Sequence, residues 1–302
     1  MPSTPSDPSR AKPLHVAISL GNADVSPVPH GTPADVERIH HDLVRQLVAA
    51  GHIAVYGGDL KPTGGGLTEQ LLDIAASTAA AGDAVRAHPE QCLRNAVAWP
   101  IHLRYTAEDL ATLHMEKVFE NYEVPSDLGL SDEQRATFVP PDTPERRVWW
   151  ARSFAAMREK LNASLDARVV VCGRGIGSSG AVPGILEEVV FAVKGGTPLF
   201  LVGGFGGVAV PLIEAFTAGT TSVFCREAQL AHEPMAELYA HLDRTGQGAI
   251  ADFAGMVATL HQAGIAGLRN GLSEAENQTL FTTTDWQEAS ALLIEGLERL
   301  RR

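Results

Sequence analysis

The chain has 302 residues, 45% hydrophobic and 20% charged, which is ordinary globular composition with room for one large core or two modest ones. Its 36 acidic and 24 basic side chains leave a net charge of -12, which argues against a nonspecific nucleic-acid surface built from clustered Lys and Arg. Apolar runs break at glycine, proline or charge well before the about 18 residues of a membrane span, and three cysteines without CxxC spacing read as reduced thiols. The expectation is a cytoplasmic protein with a small ligand, no membrane and no nucleic-acid partner.

The opening MPSTPSDPSRAKP lacks the apolar core of a signal peptide and reads as a flexible tail. Leu14 to Leu20 is the first strand candidate and runs into a loop rich in Gly, Asn, Asp and Pro. Thr32 is placed as an N-cap with Pro33 at the first helical position, and Ile39, Leu43 and Leu47 repeat along an amphipathic helix that stops at Gly51. Ile53 to Tyr56 forms a second strand. The loop GGDLKPTGGG follows before an apolar helix from Leu67 to about Ala81. Gly57, Gly58, Gly64, Gly65 and Gly66 there offer bare amides to an anion at a helix N-terminus, with Thr68 at the helix opening assigned to the same ligand. It is not a Walker A loop, because no Lys followed by Ser or Thr stands at the required spacing.

Asn95 to Ile101 is a third strand, with Pro100 at its end or edge. Thr106 with Asp109 caps a helix through Lys117, and the proline-rich stretch from Tyr122 to Pro144 reads as a loop or lid. Thr143 and Pro144 start a long helix in which the adjacent Trp149 and Trp150 cannot share a face, so one packs inward and the other covers a neighbour or a partner chain. From Arg158 to the helix end the rise is roughly 10 Å, and the strand returning from Arg168 to Cys172 climbs about 13 to 16 Å. Arg158 is therefore expected level with the strand's C-terminal edge, where ligands of open α/β sheets bind.

Residues 169–207 then supply a valine strand, a glycine-rich loop, a helix opening with two glutamates, a second strand and a second glycine loop, which together make a βαβ unit. Helices are expected at 208–218, 233–243, 250–262 and from Asp285 to the end, with short strands at Ser222 to Phe224 and Thr279 to Thr283. The fold class is α/β with a mostly parallel sheet and helices on both faces, in a single domain over residues 14–302 whose C-terminal helices pack onto the same core.

Gly175, Gly177 and Gly180 spell GxGxxG after a strand, but Pro183 delays the helix and the strand is not the first, unlike a dinucleotide fingerprint. Glu187 and Glu188 stand in the first turn of the next helix. One acid there complements the helix dipole. The second must turn toward the loop or core, since successive positions point about 100° apart, and from there it can accept ribose hydroxyls or act as an acid or base at a glycosidic bond. Arg158 and Arg174 are the natural phosphate partners. No nucleophile elbow is present, the adjacent His40 and His41 lack metal-ligand spacing, and no metal or cofactor is expected.

The order MREK at Met157 to Lys160, a valine strand, then PGILEE at Pro183 to Glu188 resembles the LONELY GUY phosphoribohydrolases, in which a helix bearing M-x-x-R-K precedes a strand and PGGxGTxEE. With the Gly57 to Gly66 loop, residues 14–226 are similar to the wider SLOG superfamily, named for its SMF/DprA and LONELY GUY members. The resemblance implies a modified Rossmann-like fold and a nucleotide-derived ligand, as in the hydrolases and in the sensor domains of bacterial antiviral systems and some ion channels. It makes Arg158 the functional arginine and Glu188 the glutamate that is catalytic in hydrolases and contacts ligand in sensors. Departures point to binding over turnover: Ile185 replaces a threonine, Glu159 separates the arginine from Lys160, and the GRGIGSSGAV loop has no counterpart in the enzymes.

The expected ligand is ADP-ribose-like or another nucleoside phosphate. The Gly57 to Gly66 loop and Gly173, Gly175, Gly177, Ser178 and Gly180 take phosphates with Arg158 and Arg174, while Gly184, Glu187 and Glu188 complete the pocket. The alternative is a nucleotide N-glycosidase in which Arg158 and Glu188 are catalytic. A homodimer and a separate effector protein are the expected partners.

Overall fold

In a computed structural model of the chain, the structure describes residues 12–19, 33–58, 73, 74, 77, 89–112 and 116–302. Most of the expected tail, the loop after the first strand, Thr32, Gly64, Gly65, Gly66, Thr68 and most of the expected helix from Leu67 lie outside them. Six strands, β1 His15–Ser19, β2 Ile53–Gly57, β3 Leu93–Ala98, β4 Phe119–Tyr122, β5 Ala167–Val171 and β6 Leu199–Val202, form one sheet in the order β4-β3-β2-β1-β5-β6. Every pairing is parallel. The chain lays β1 to β4 outward in one direction and then returns to place β5 on the other side of β1. The strand order reverses between β1 and β5, the switch point at which open α/β sheets bind ligands.

Helices cover both faces. Alternate residues of β5 point opposite ways: Val169 and Val171 enter a cluster with Ile39, Leu43 and Leu47 of α1 (Pro33–Ala49), whereas Val170 enters one with Leu186, Val189, Leu212 and Phe216. The second face is covered over β1 to β3 by α4 (Pro144–Asn162), whose Phe154 and Met157 meet Ala17, Val55 and Ala96. Over β5 and β6 it is covered by α5 (Gly184–Gly195) and α6 (Ala209–Ala218). Helix α4 starts as its sequence implies, with Thr143 accepting from the Arg146 amide and Pro144 at the first position. Trp150 is buried and donates from Nε1 to the Val139 carbonyl at 2.7 Å. Trp149 turns to the other side and packs with Trp99, Val124 and Leu130 of the same chain.

Several elements differ from the reading above. The helix opened by Thr106 is only α2 (Ala107–Thr112), and the chain then makes β4, a half-exposed edge strand of sequence FENY. The stretch from Tyr122 contains α3 (Asp132–Ala136), closed by a capping box between Ser131 and Gln134. Residues 222–224 form bends ahead of the short α7 (Arg226–Gln229). Thr279 to Thr282 belong to α10 (Glu274–Thr282): a capping box between Ser273 and Glu276 and the burial of Leu280 outweigh the strand preference of its β-branched residues. Between these lie α8 (Pro234–Arg244) and α9 (Phe253–Ala263), and the chain ends in α11 (Trp286–Leu300). Leu293 and Leu297 of α11 pack with Phe200 of β6, and a Cβ on Gly296 would lie 2.5 Å from the Phe200 ring, so the helix backbone itself rests on that side chain.

His40 of α1 is buried, with a ring nitrogen against the Val171 backbone and Nε2 without a hydrogen-bond partner among the described residues. Burial holds its pKa down from 6.5 to about 4. The unfolded chain therefore takes up the proton first as pH falls, and stability present above pH 6.5 is lost as pH approaches 4. Acidification from neutral pH to that of the folded His40 is expected to cost the protein about 3 kcal/mol more than it costs His40→Gln, read by urea denaturation. Equal losses would show that His40 is not the titrating group.

Candidate functional site

Ser19 ends β1 and Arg168 lies on β5, both on the face that α4 and α5 cover. Opposite them, the first turns of α5 present Glu187 and Glu188, and Arg158 reaches in from the last turns of α4. Arg158 Nη1 is 2.5 Å from Glu187 Oε2, and Arg168 Nη1 is 2.7 Å from Glu188 Oε2. Arg158 Nε stands 3.6 Å from Glu188 Oε1. Ser19 Oγ donates to Glu188 Oε2 at 2.6 Å and accepts from Arg168 Nη1 at 2.7 Å. Both glutamates turn inward, each to its own arginine, so the helix dipole accounts for neither orientation.

Two cations and two anions cancel within this buried cluster, the arrangement that makes desolvated charge tolerable. Burial nevertheless pushes the Glu187 carboxyl above the usual carboxylate range, against the opposing pull of Arg158. Burial likewise works against the charge on Arg168, and Glu188 offsets it. Among the described residues, Nε and Nη2 of Arg168 and Nε of Arg158 have no hydrogen-bond acceptor. Gly184 makes room for the cluster: a Cβ there would lie 2.5 Å from Arg158 Nη2. The Arg158 guanidinium also stacks 5.3 Å from the centroid of the Phe154 ring.

β5 ends by turning sharply through Cys172 at φ +56° and Gly173 at φ +87°. The Cys172 thiol is pushed up to about 12 by burial and faces the Phe205 carbonyl, a packing role. The glycine loop that follows is pinned by its carbonyls: Gly173 accepts from the Val208 amide, Gly175 from Gln229 and Ala181 from Tyr239. Among the described residues, the amides from Arg174 to Ser179 donate to no protein acceptor, and Arg174 makes no hydrogen bond or ion pair. A Cβ on Gly177 would lie 3.8 Å from Arg174 Cδ and 4.0 Å from His232 Nδ1. Gly180 approaches Ala151 of α4, and its amide donates to Ser178 Oγ.

Arg158, Gly184, Glu187 and Glu188 thus come together as one cluster. Arg174, Gly175 and Gly177 form the other end of the connecting loop, with no hydrogen bond or ion pair to that cluster among the described residues. Gly57 and Gly58 lie at the C-terminal end of β2, next to β1, where the Gly58 carbonyl accepts from the buried Asn95. Arg168 and Ser19 were not among the expected site residues. The available signal was a cation inside the otherwise apolar strand ARVVV, a residue type almost never buried without a partner.

No helix among the described residues is long and apolar enough to cross a membrane. No curated protein matches the chain. Among solved structures it is similar to the X-ray structure of TM1055, a structural-genomics target, at 14% identity over 65% of this chain and 78% of that one. The TM-score of 0.33 is too low to bear on fold or function. The family described as SLOG cluster2 matches residues 10–280. With that match over a parallel Rossmann-like sheet, the chain belongs to the SLOG superfamily, whose domains bind nucleotide-derived ligands.

Proposed function

We propose that the chain is a sensor that holds an ADP-ribose-like molecule, or another nucleoside phosphate, at the C-terminal edge of β1 and β5. The observation that carries this reading is the neutral, buried cluster of Arg158, Glu187, Glu188 and Arg168 at the switch point, joined by one loop to a run of amides with no acceptor among the described residues. Phosphate oxygens take the amides of Gly175 to Ser179 and the guanidinium of Arg174, as anions do at glycine-rich loops. Arg158 exchanges Glu187 for a second phosphate, and Glu188 takes a ribose hydroxyl. Gly57, Gly58, Gly64, Gly65, Gly66 and Thr68 stay assigned to phosphate as part of this proposal.

The N-glycosidase alternative is disfavoured by Ile185. Where the hydrolases it resembles carry a threonine, this chain buries an isoleucine in the α5 core cluster and offers no hydroxyl. We read residues 14–302 as one domain, because α8 and α9 share the core of α5 while α10 and α11 share that of β1 and β5. A cytoplasmic homodimer that signals to a separate effector, in the manner of bacterial antiviral sensors, completes the reading.

Calorimetry with ADP-ribose, AMP and cyclic nucleotides is expected to show saturable binding, and chromatography of the same mixtures no released base. Arg158→Ala and Glu188→Ala are each expected to weaken binding about tenfold or more; unchanged affinity in both would remove the cluster from the site. Release of Glu187 from Arg158 further favours its protonated form, so binding takes up a proton and weakens as pH rises above the ordinary carboxylate range. Glu187→Gln is expected to flatten that pH dependence. Gly184→Ala, whose added methyl meets the guanidinium of Arg158, is expected to lower the melting temperature by less than about 5 °C while reducing affinity as Arg158→Ala does.

A further inference from the structure

The two carboxylate oxygens of Glu188 are not equivalent. Oε2 accepts from Ser19 Oγ at 2.6 Å and from Arg168 Nη1 at 2.7 Å, and Nη1 also donates to Ser19 Oγ at 2.7 Å. A guanidinium Nη carries two hydrogens, a serine hydroxyl one, and a carboxylate oxygen has two lone pairs. The three atoms therefore close a ring in which each hydrogen has an acceptor and Oε2 is filled. Ser19, its only hydrogen committed to Glu188, is not poised as a nucleophile. Both clamp residues are buried, Ser19 3% and Arg168 2% exposed, and so offer far less surface to a ligand than Glu188 does.

Oε1 is different. Among the described residues no hydrogen bond reaches it, the nearest cation, Arg158 Nε, is too far at 3.6 Å, and the Glu188 side chain keeps 16% of its surface exposed. We propose that Ser19 and Arg168 are positioning residues that present Glu188 to a ligand through Oε1 alone, which makes Glu188 a reader of one ribose hydroxyl. The inference rests on the nucleotide-ligand reading above and assigns the two arginines opposite roles. Arg158 holds an exchangeable carboxylate, whereas Arg168 holds a fixed one. A single charged acceptor in a fixed rotamer gains from a hydroxyl donor and is left desolvated and unpaired by a ligand that lacks it. It also repels a phosphate at that point, so it sets the direction in which a nucleotide enters.

The clamp is tested first without ligand. Arg168→Met leaves Glu188 without its cation, Glu188→Gln leaves a buried unpaired guanidinium, and the double variant removes both faults. The double is expected to melt no lower than the less stable single variant, and additive losses would overturn the clamp. If Arg168→Met does not fold, the Ser19→Ala and Glu188→Gln pair is judged by the same criterion. The second arm measures AMP, 2′-deoxy-AMP and 3′-deoxy-AMP by calorimetry. The wild-type protein is expected to lose about tenfold or more for one of the two deoxy probes, Ser19→Ala to bring that ratio close to one, and Ser19→Thr to restore it. A purely structural role for Ser19 would weaken all three probes equally and keep the ratio, which would refute the positioning role. If none of the three binds and ADP-ribose does not either, the nucleotide reading and with it the hydroxyl-reading role fall, while the melting data still decide the clamp.

Discussion

A guanidinium buried in the middle of a parallel sheet is tolerable only where its charge is met, and Arg168 imposes that condition on everything around it. Ser19 of β1 offers it a neutral hydroxyl, and the countercharge comes from the helix laid across the strands. Glu188 has to reach Arg168 from α5, which fixes the rotation of that helix about its axis. Leu186 and Val189 are then directed into the core and Glu187 toward α4. Arg158 answers Glu187 in turn, and Gly184 supplies the space it needs. One buried charge thus propagates through two helices and a strand end.

The same chain of constraints separates stiffness from exchange within a few ångströms. Arg168, Ser19 and Glu188 are linked by short hydrogen bonds in a setting with almost no solvent, where such bonds are strong and their loss is costly. Arg158 and Glu187 are joined by one hydrogen bond, and burial already weighs against the Glu187 charge. A site that must both hold its shape and admit an anion gains from this division, because the strain of ligand entry falls on one ion pair and leaves the sheet intact.

How much of this was legible in the residues depended on the range of the interaction involved. Local signals carried the N-cap of α4, the buried valine strand β5 and the amphipathic α1, since capping, β-branching and apolar spacing act within a turn or a strand. The order of Arg158, the valine strand and the paired glutamates placed three of the four charged residues through a family pattern. Arg168 escaped because its meaning lies in Ser19, 149 residues away, and in a register between β1 and β5 that no local pattern encodes. β4 escaped for a related reason: FENY has no alternating apolar face and becomes a strand only because the edge of β3 is open to it. Around Thr279 the error ran the other way, as a β-branched run was overruled by the capping box one turn upstream.

The seat of Phe200 under α11 bears on the solubility of any shortened chain. The family match ends at residue 280, yet Phe200 is covered by Gly296, Leu293 and Leu297, which lie beyond it. Because Gly296 has no side chain, the helix backbone rests on the ring directly. A fragment trimmed to the matched residues would open a contiguous apolar patch over β6 and α1, the kind of surface that drives self-association.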